Sequence, residues 1–203
     1  MTEKEKMLAG QLYDPSDEEL TRLRISARKL ARRYNQTDED DPEKQGELLR
    51  ALLPNTAELP SLQAPVYFDY GCNTTFGAGA NANFHFTCLD VCPVRIGSNV
   101  FIGPNVTLAT PMHPLLPGER NPRQRADGSW YNLEYAQPIV IENDCWLASN
   151  VVVCGGVTIG EGSVIGAGSV VTRSIPPHSL AVGNPCRVLR PLTEADRMEK
   201  ENG

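Results

Sequence analysis

The sequence predicts a mainly β fold, a solenoid in which short parallel strands stack into triangular coils. The first observation is a period of six over residues 141–176, where every hexad opens with Ile, Leu or Val. A period of six is neither helical nor that of an alternating strand. The second is that Gly, Asn and Asp cluster between the apolar positions, where a corner often requires a positive φ. Three hexads therefore close one coil, and each coil buries its apolar row only against the next.

Composition and charge narrow the choice of compartment and partner. The 203 residues leave room for one substantial domain with a small appendage, and the 6% of aromatic residues suits a core of stacked aliphatic side chains. A net charge of −6 argues against nucleic acid as the main partner. The six cysteines include no C-x-x-C pair, which favours small buried thiols. With no apolar signal region and no membrane-spanning run, we expect a cytoplasmic protein without a membrane partner.

Residues 1–58 are predicted to form an α-helical hairpin. Apolar residues recur there at helical spacing, namely Leu20, Leu23, Ala27, Leu30, Ala31 and Tyr34. Ser16 and Glu19 predict a capping box for this helix, and a second helix is expected from Glu43 to Leu53, ended by Pro54. The hairpin is either a packing appendage or the cover over one edge of a substrate site.

The repeats occupy residues 59–190 and are interrupted by an extended loop at residues 110–137. Pro111 and Pro114 lack backbone donors, so we expect the β-structure to stop at this point. A loop of this length inside a compact solenoid is more often functional than accidental. Residues 191–203 form a charged tail that is expected to fray.

His113 is the candidate catalytic residue because it lies where the repeats give way to the loop. A hydroxyl group is a poor nucleophile at neutral pH, and imidazole titrates in the range needed to take its proton. Glu134, near the end of the loop, is a candidate to orient the imidazole. Of the other two histidines, His178 is expected in a surface turn, and His85 has no assigned role.

Four features together resemble the maltose and galactoside O-acetyltransferases, with the maltose enzymes the nearer. They are the hexads, residues 7–13, residues 89–97 and the run Thr110-Pro111-Met112-His113-Pro114, which matches that family's T-x-x-H-P. These enzymes are hexapeptide-repeat acyltransferases, so the resemblance implies a left-handed parallel β-helix. The handedness rests on the resemblance alone, since the usual crossover rule gives the opposite hand. The implied reaction moves an acetyl group from acetyl-CoA to a sugar hydroxyl of maltose, glucose or galactoside type, with His113 as the base.

The resemblance also implies sugar contacts. Asn83 matches a position that hydrogen-bonds the sugar. Asp69 falls where galactoside enzymes carry a sugar-contacting serine, and Asp90 is adjacent to the position of a sugar-contacting aspartate. Each of these two carboxylates is either a sugar contact or a residue that caps a corner of the solenoid.

By the same resemblance, acetyl-CoA lies in the groove between adjacent solenoids of a homotrimer. Ser149 and Ala167 match positions along the pantetheine arm. Four residues match the nucleotide end, namely Thr172, Arg173, Arg187 and Arg190. Arginines in an acidic chain suit the phosphates of coenzyme A. The alternative is that they are solvated side chains of the tail.

Other functions remain open. The same fold could serve a non-sugar acceptor, such as a xenobiotic or serine. A zinc enzyme like the solenoid carbonic anhydrases needs three converging histidines, whereas these three are scattered, so no metal is expected. A scaffold without activity leaves His113 and the terminal arginines unexplained. The resemblance explains neither the long loop 115–137 nor Trp130, which could stack on a sugar or anchor the loop.

Overall fold

The computed structural model describes residues 1–198 and confirms the predicted parallel β-solenoid. Its strands lie in three parallel sheets, each forming one face of a triangular prism. Face one contains the strands Ser61–Leu62, Asn81–Ala82, Phe101–Ile102, Trp146–Leu147, Val164–Ile165 and Ser179–Gly183, with Cys186–Pro191 paired antiparallel at its end. Face two contains Val66–Phe68, Phe86–Leu89, Thr107–Ala109, Val152–Cys154 and Val170–Val171. Face three contains Thr74–Phe76, Val94–Ile96, Ile139–Ile141 and Thr158–Ile159.

The core is a set of aliphatic rows that run through successive coils. On face one, Ile102, Leu147 and Ile165 stand directly in register and are at most 2% exposed. Corners carry residues with positive φ, among them Asn99, Asn105, Asp144, Asn150 and His178. The corner position of His178, with φ of 53°, agrees with the turn expected for it.

Three α-helices precede the solenoid: α1 (Glu3–Leu8), α2 (Glu18–Asn35) and α3 (Pro42–Leu52). The capping box predicted for Ser16 and Glu19 is wrong. Asp17 caps α2 instead, because its carboxylate accepts from the backbone N–H of Leu20 at 3.2 Å. The Ser16 hydroxyl is engaged elsewhere, since it donates to Asp14 at 2.6 Å.

Helix α2 docks against the first coil. Its Tyr34 hydroxyl donates to the carbonyl of Leu62 at 2.6 Å. The Asn35 amide makes two hydrogen bonds with the backbone of Val66, at 2.8 and 2.9 Å. These contacts satisfy backbone groups at an edge of the solenoid that would otherwise invite pairing with another chain.

The inserted loop is more ordered than expected. Pro111–Met112 pairs antiparallel with Tyr135–Ala136, so the prediction that β-structure stops at Pro111 is wrong for these two residues. The pair lies outside the parallel ladder, at an edge where a missing donor is tolerated. Between them lie α4 (Pro117–Arg120) and a hairpin of strands Arg123–Gln124 and Trp130–Tyr131.

The chain ends beyond a 3₁₀ turn at Glu194–Asp196. This turn is tied back to the last strand by an ion pair between Arg190 and Asp196. Residues 199–203 of the predicted charged tail lie outside the described residues.

Candidate active site

A cavity of about 380 Å³ opens beside His113, where the helical region, the solenoid and the inserted loop meet. Its wall includes His113, Asn132 and Glu134 of the loop, Tyr13 and Arg28 of the helical region, and Asp69 of the solenoid. Three separate segments of the chain therefore supply polar groups to one site.

Glu134 lies against the His113 imidazole. Its Oε1 is 4.0 Å from His113 Nε2, and the imidazole is about half exposed towards the cavity. The Tyr13 hydroxyl donates to Glu134 Oε2 at 2.9 Å, and the two residues also pair through their backbones. Burial and the neighbouring carboxylate of Glu134 raise the pKa of Tyr13 well above its usual range, so its phenol stays a donor. Tyr13 thus fixes a carboxylate where it can orient a protonated imidazole.

Asp69 lies on the cavity wall in an ion pair with Arg28. Its Oδ1 is 2.5 Å from Arg28 Nη2, and Asp69 is only 8% exposed whereas the arginine is about half exposed. The pairing compensates a buried charge and leaves guanidinium donors facing solvent. Asp69 therefore lines the same cavity as His113.

Asp90 occupies a different environment, because it is fully buried and does not line the cavity. Its Oδ1 accepts from the backbone N–H of Tyr70 at 2.8 Å, and its Oδ2 accepts from the Thr74 hydroxyl at 3.0 Å. These are the contacts of a residue that caps a corner. We therefore remove Asp90 from the set of proposed sugar contacts. Its burial raises the pKa of the carboxyl to about 6.

Asp90→Asn is expected to change the pH dependence of stability. Because the pKa is raised from 3.8 to about 6, the protonated form is favoured by folding, so this contribution is lost as pH rises through that interval. Relative to the asparagine variant, the wild-type free energy of unfolding should fall by about 2 kcal/mol between pH 4 and pH 7. Urea unfolding of both proteins across this range measures the difference. A difference that does not vary with pH contradicts the assignment.

The other predicted site residues divide between two corners of the prism. Asn83 follows a face-one strand, and Ser149 and Ala167 follow later strands of the same face, so these three share the corner between faces one and two. His113 follows a face-two strand, and Thr172 and Arg173 follow a strand of the same face two coils further along the solenoid. Within one chain, Asn83 lines a separate cavity from His113. Face two lies between the two corners.

Arg187 and Arg190 lie on the last strand, Cys186–Pro191, at the end of face one. Arg190 makes a bidentate ion pair with Asp196 at 2.6 and 2.8 Å, and this hydrogen bonding lowers the pKa of Asp196 to about 2. The Arg187 guanidinium donates to the carbonyl of Cys186 at 2.8 Å. A phosphate bound by Arg190 would replace the Asp196 carboxylate as the partner of its guanidinium.

Sequence reasoning missed Tyr13, Arg24, Arg28 and Asn132 as parts of this cavity. Arg24 donates to the Tyr70 hydroxyl at 3.2 Å and to the carbonyl of Pro15 at 3.3 Å. One signal was present, since Arg24 and Arg28 are four residues apart and therefore share a face of α2. Nothing local indicated Tyr13 or Asn132.

Among residues 1–198, no group of three or more His, Cys, Asp and Glu side chains is close enough to hold a metal ion. Within the same range, none of the helices combines the length and apolar character needed to cross a bilayer.

Comparisons with known proteins cover nearly the whole chain. The maltose acetyltransferase hexapeptide capping motif matches residues 6–57, the hexapeptide repeat of succinyl-transferase matches residues 93–111, and the bacterial transferase hexapeptide (six repeats) matches residues 138–173. Galactoside O-acetyltransferase of Escherichia coli is 39% identical over 95% of this chain and 91% of its own length.

Solved structures agree with the sequence matches. A maltose O-acetyltransferase from Clostridium difficile superposes with a TM-score of 0.86 at 41% identity, covering 96% of this chain and 99% of that one. A galactoside acetyltransferase in complex with coenzyme A gives a TM-score of 0.86 at 37% identity, covering 99% and 97%. The resemblance inferred from the repeats and the His113 motif is thereby confirmed. The chain belongs to the hexapeptide-repeat acetyltransferases, in the group of the maltose and galactoside O-acetyltransferases.

Proposed function

We propose that this protein transfers the acetyl group of acetyl-CoA to a hydroxyl of a sugar of maltose, glucose or galactoside type. The observation that carries the proposal is His113, which faces a polar cavity with the Glu134 carboxylate 4.0 Å from its Nε2. The cavity wall also offers the carboxylate of Asp69, the guanidinium of Arg28 and the amide of Asn132. Sugar hydroxyls need donors and acceptors together, and this set supplies both.

In the proposed reaction, His113 takes the proton of the acceptor hydroxyl as its oxygen attacks the acetyl carbon. Acetyl-CoA supplies that acetyl group in activated form, as a thioester. Glu134 stabilises the imidazolium cation that forms, because an opposite charge nearby favours the protonated ring. A backbone N–H near Ser149, in the neighbouring chain that also supplies Asn83, stabilises the negative charge that develops on the carbonyl oxygen. His113 then returns its proton to the departing thiolate.

The binding of coenzyme A is proposed along the two corners that flank face two. Ser149 and Ala167 are small residues, which leaves room at their corner for a pantetheine arm. Thr172 and Arg173 are exposed beside the other corner. Together with Arg187 and Arg190, Arg173 places cationic donors at one end of the solenoid, where phosphates can bind bidentately. A galactoside acetyltransferase solved in complex with coenzyme A supports coenzyme A as the ligand.

We infer that the active unit is a homotrimer with its sites between subunits. Asn83 and His113 are both proposed to contact the acceptor, yet one chain holds them on opposite sides of face two. Parallel copies that approach through face two would bring the Asn83 corner of one copy to the His113 corner of the next. Closed rotational symmetry then makes all three sites equivalent.

Mixing two inactive variants tests this arrangement. Asn83→Ala and His113→Ala should each lack activity alone, whereas chains co-expressed at equal amounts should recover about one quarter of wild-type activity. This fraction follows because a site is intact only when its His113 comes from an Asn83→Ala chain and its Asn83 from a His113→Ala chain, each with a probability of about one half in a randomly mixed trimer. Recovery is measured by thiol release. No recovery in proven mixed trimers, or a monomeric mass by light scattering, contradicts the proposal.

Acceptor profiling tests the function itself. Thiol release from acetyl-CoA is measured with maltose, glucose and galactosides, and with serine and hydroxylated xenobiotics as the competing classes. The proposal expects the highest kcat/KM for a sugar. Turnover of serine or of a xenobiotic without turnover of any sugar would overturn the sugar assignment and leave the acetyltransferase assignment in place.

A further inference from the structure

Tyr13, Pro15 and Ser16 line the cavity beside His113, and the segment 13–16 that carries them is held from three directions. Tyr13 pairs with Glu134 through both backbone and side chain. Arg24 of α2 donates to the carbonyl of Pro15. The third contact comes from Arg125, which lies in the hairpin of the inserted loop. This short segment therefore connects the helical region to the hairpin of the loop and to the C-terminal end of the loop.

Arg125 makes an unusually complete set of contacts for a loop residue. Its guanidinium forms an ion pair with the Asp14 carboxylate and donates to the Ser16 hydroxyl at 3.3 Å. It also donates to the Ser129 hydroxyl at 3.1 Å and stacks over the Tyr131 ring, with Cζ 4.6 Å from the centroid. The Asp14 side chain is only 15% exposed, so this ion pair is partly removed from water.

The contacts of Arg125 differ in kind from those of the other loop arginines. Arg123 donates only to the carbonyls of Gly118 and Glu119, and Arg120 donates to that of Leu115. Both therefore stabilise the loop internally. Within the described residues, Arg125 is the loop arginine that reaches the helical region.

We propose that Arg125 is a positioning residue for the acceptor site. It clamps the hairpin onto Asp14 and Ser16, and so holds Tyr13 and Glu134 in the pairing that sets the cavity wall next to His113. The clamp itself is independent of what the protein does. Its effect on acceptor binding rests on the function proposed above. A planar guanidinium that both stacks and binds a carboxylate is not replaceable by lysine without loss.

The clamp is tested first by hydrogen exchange on the full-length protein. The amides of Tyr13 and Glu134 each donate to the other residue, at 2.9 and 3.1 Å, so they report directly on the wall. Arg125→Met should speed their exchange about tenfold, in line with the loss of one charge-assisted contact. Arg123→Ala, on the same hairpin, is the matched control and should leave these amides unchanged. Unchanged exchange in the Arg125→Met protein overturns the clamp.

Steady-state kinetics test whether the clamp affects binding of the acceptor. Arg125→Met should raise the KM for the acceptor about tenfold, with kcat and the KM for acetyl-CoA within about twofold, because the wall and not the base is disturbed. Asp14→Asn should act in the same way, and the double variant should be no worse than either single one. Arg125→Lys should recover part of the effect. Equal changes in the KM of both substrates would reduce Arg125 to general stability and overturn the positioning role.

Hydrogen exchange and kinetics together distinguish failure of the clamp from failure of the proposed function. If no sugar is acetylated by the wild type, the proposed function fails, while hydrogen exchange still decides whether the clamp exists. If exchange accelerates but the acceptor KM of an active enzyme does not change, the clamp exists and its positioning role is overturned.

Discussion

Replacing His113 with alanine is expected to lower kcat for acetyl transfer by about 10²–10⁴-fold, the range typical of a lost general base. The His113 imidazole lines the cavity, is about half exposed and lies 4.0 Å from the Glu134 carboxylate. Binding of acetyl-CoA should be nearly unchanged, because its proposed contacts lie along the solenoid corners. Steady-state thiol release gives kcat, and calorimetry gives the affinity for acetyl-CoA.

The matched control is His178→Asn, since His178 is a second imidazole that occupies a corner with φ of 53°. Asparagine tolerates that backbone conformation, so this variant should fold and retain activity within about twofold. A near-normal rate for His113→Ala removes His113 from the role of base. A comparable loss in both variants points instead to damage of the solenoid.

Leu147→Ala should lower the free energy of unfolding by about 2–5 kcal/mol. Leu147 is 0% exposed and stands in register between Ile102 and Ile165, so the truncation leaves a cavity that the stiff coils on either side cannot close. Each coil buries its apolar row against its neighbours, and the gap therefore weakens two interfaces at once. Urea unfolding followed by circular dichroism measures the change.

Leu115→Ala is the control for this prediction, because the same side chain is 86% exposed in the inserted loop. Its effect on stability should stay within about 0.5 kcal/mol. Equal losses for the two leucines would contradict a core built from stacked hexads.

The solenoid was predictable because each hexad position meets an equivalent residue one coil away. The same register that places Leu147 on Ile102 repeats along the chain. The sequence of one hexad therefore indicates how all the coils stack. The cap of α2 was misplaced by one residue because Ser16 and Asp17 are both good N-caps. The Ser16 hydroxyl is occupied by Asp14, two residues earlier, and Asp17 caps the helix.

The candidate site was predictable only in part. The His113 motif predicted a general base. The Tyr13–Glu134 contact joins residues 121 positions apart, so no local pattern encodes it. The same holds for Arg28 with Asp69 and for Arg125 with Asp14. Asp90 could not be separated from Asp69 by residue type, because the distinction is burial: one carboxylate faces the cavity, and the other is enclosed by Tyr70 and Thr74.

A crystal structure with coenzyme A and the best acceptor tests the central claim most directly. We expect one sugar hydroxyl within about 2.6–3.2 Å of a ring nitrogen of His113, on the side facing the coenzyme sulfur. The Glu134 carboxylate should stay beside His113 Nε2 and hydrogen-bonded to Tyr13, as in the free protein. An acceptor bound away from His113, or a coenzyme whose sulfur points away from the cavity, contradicts the account.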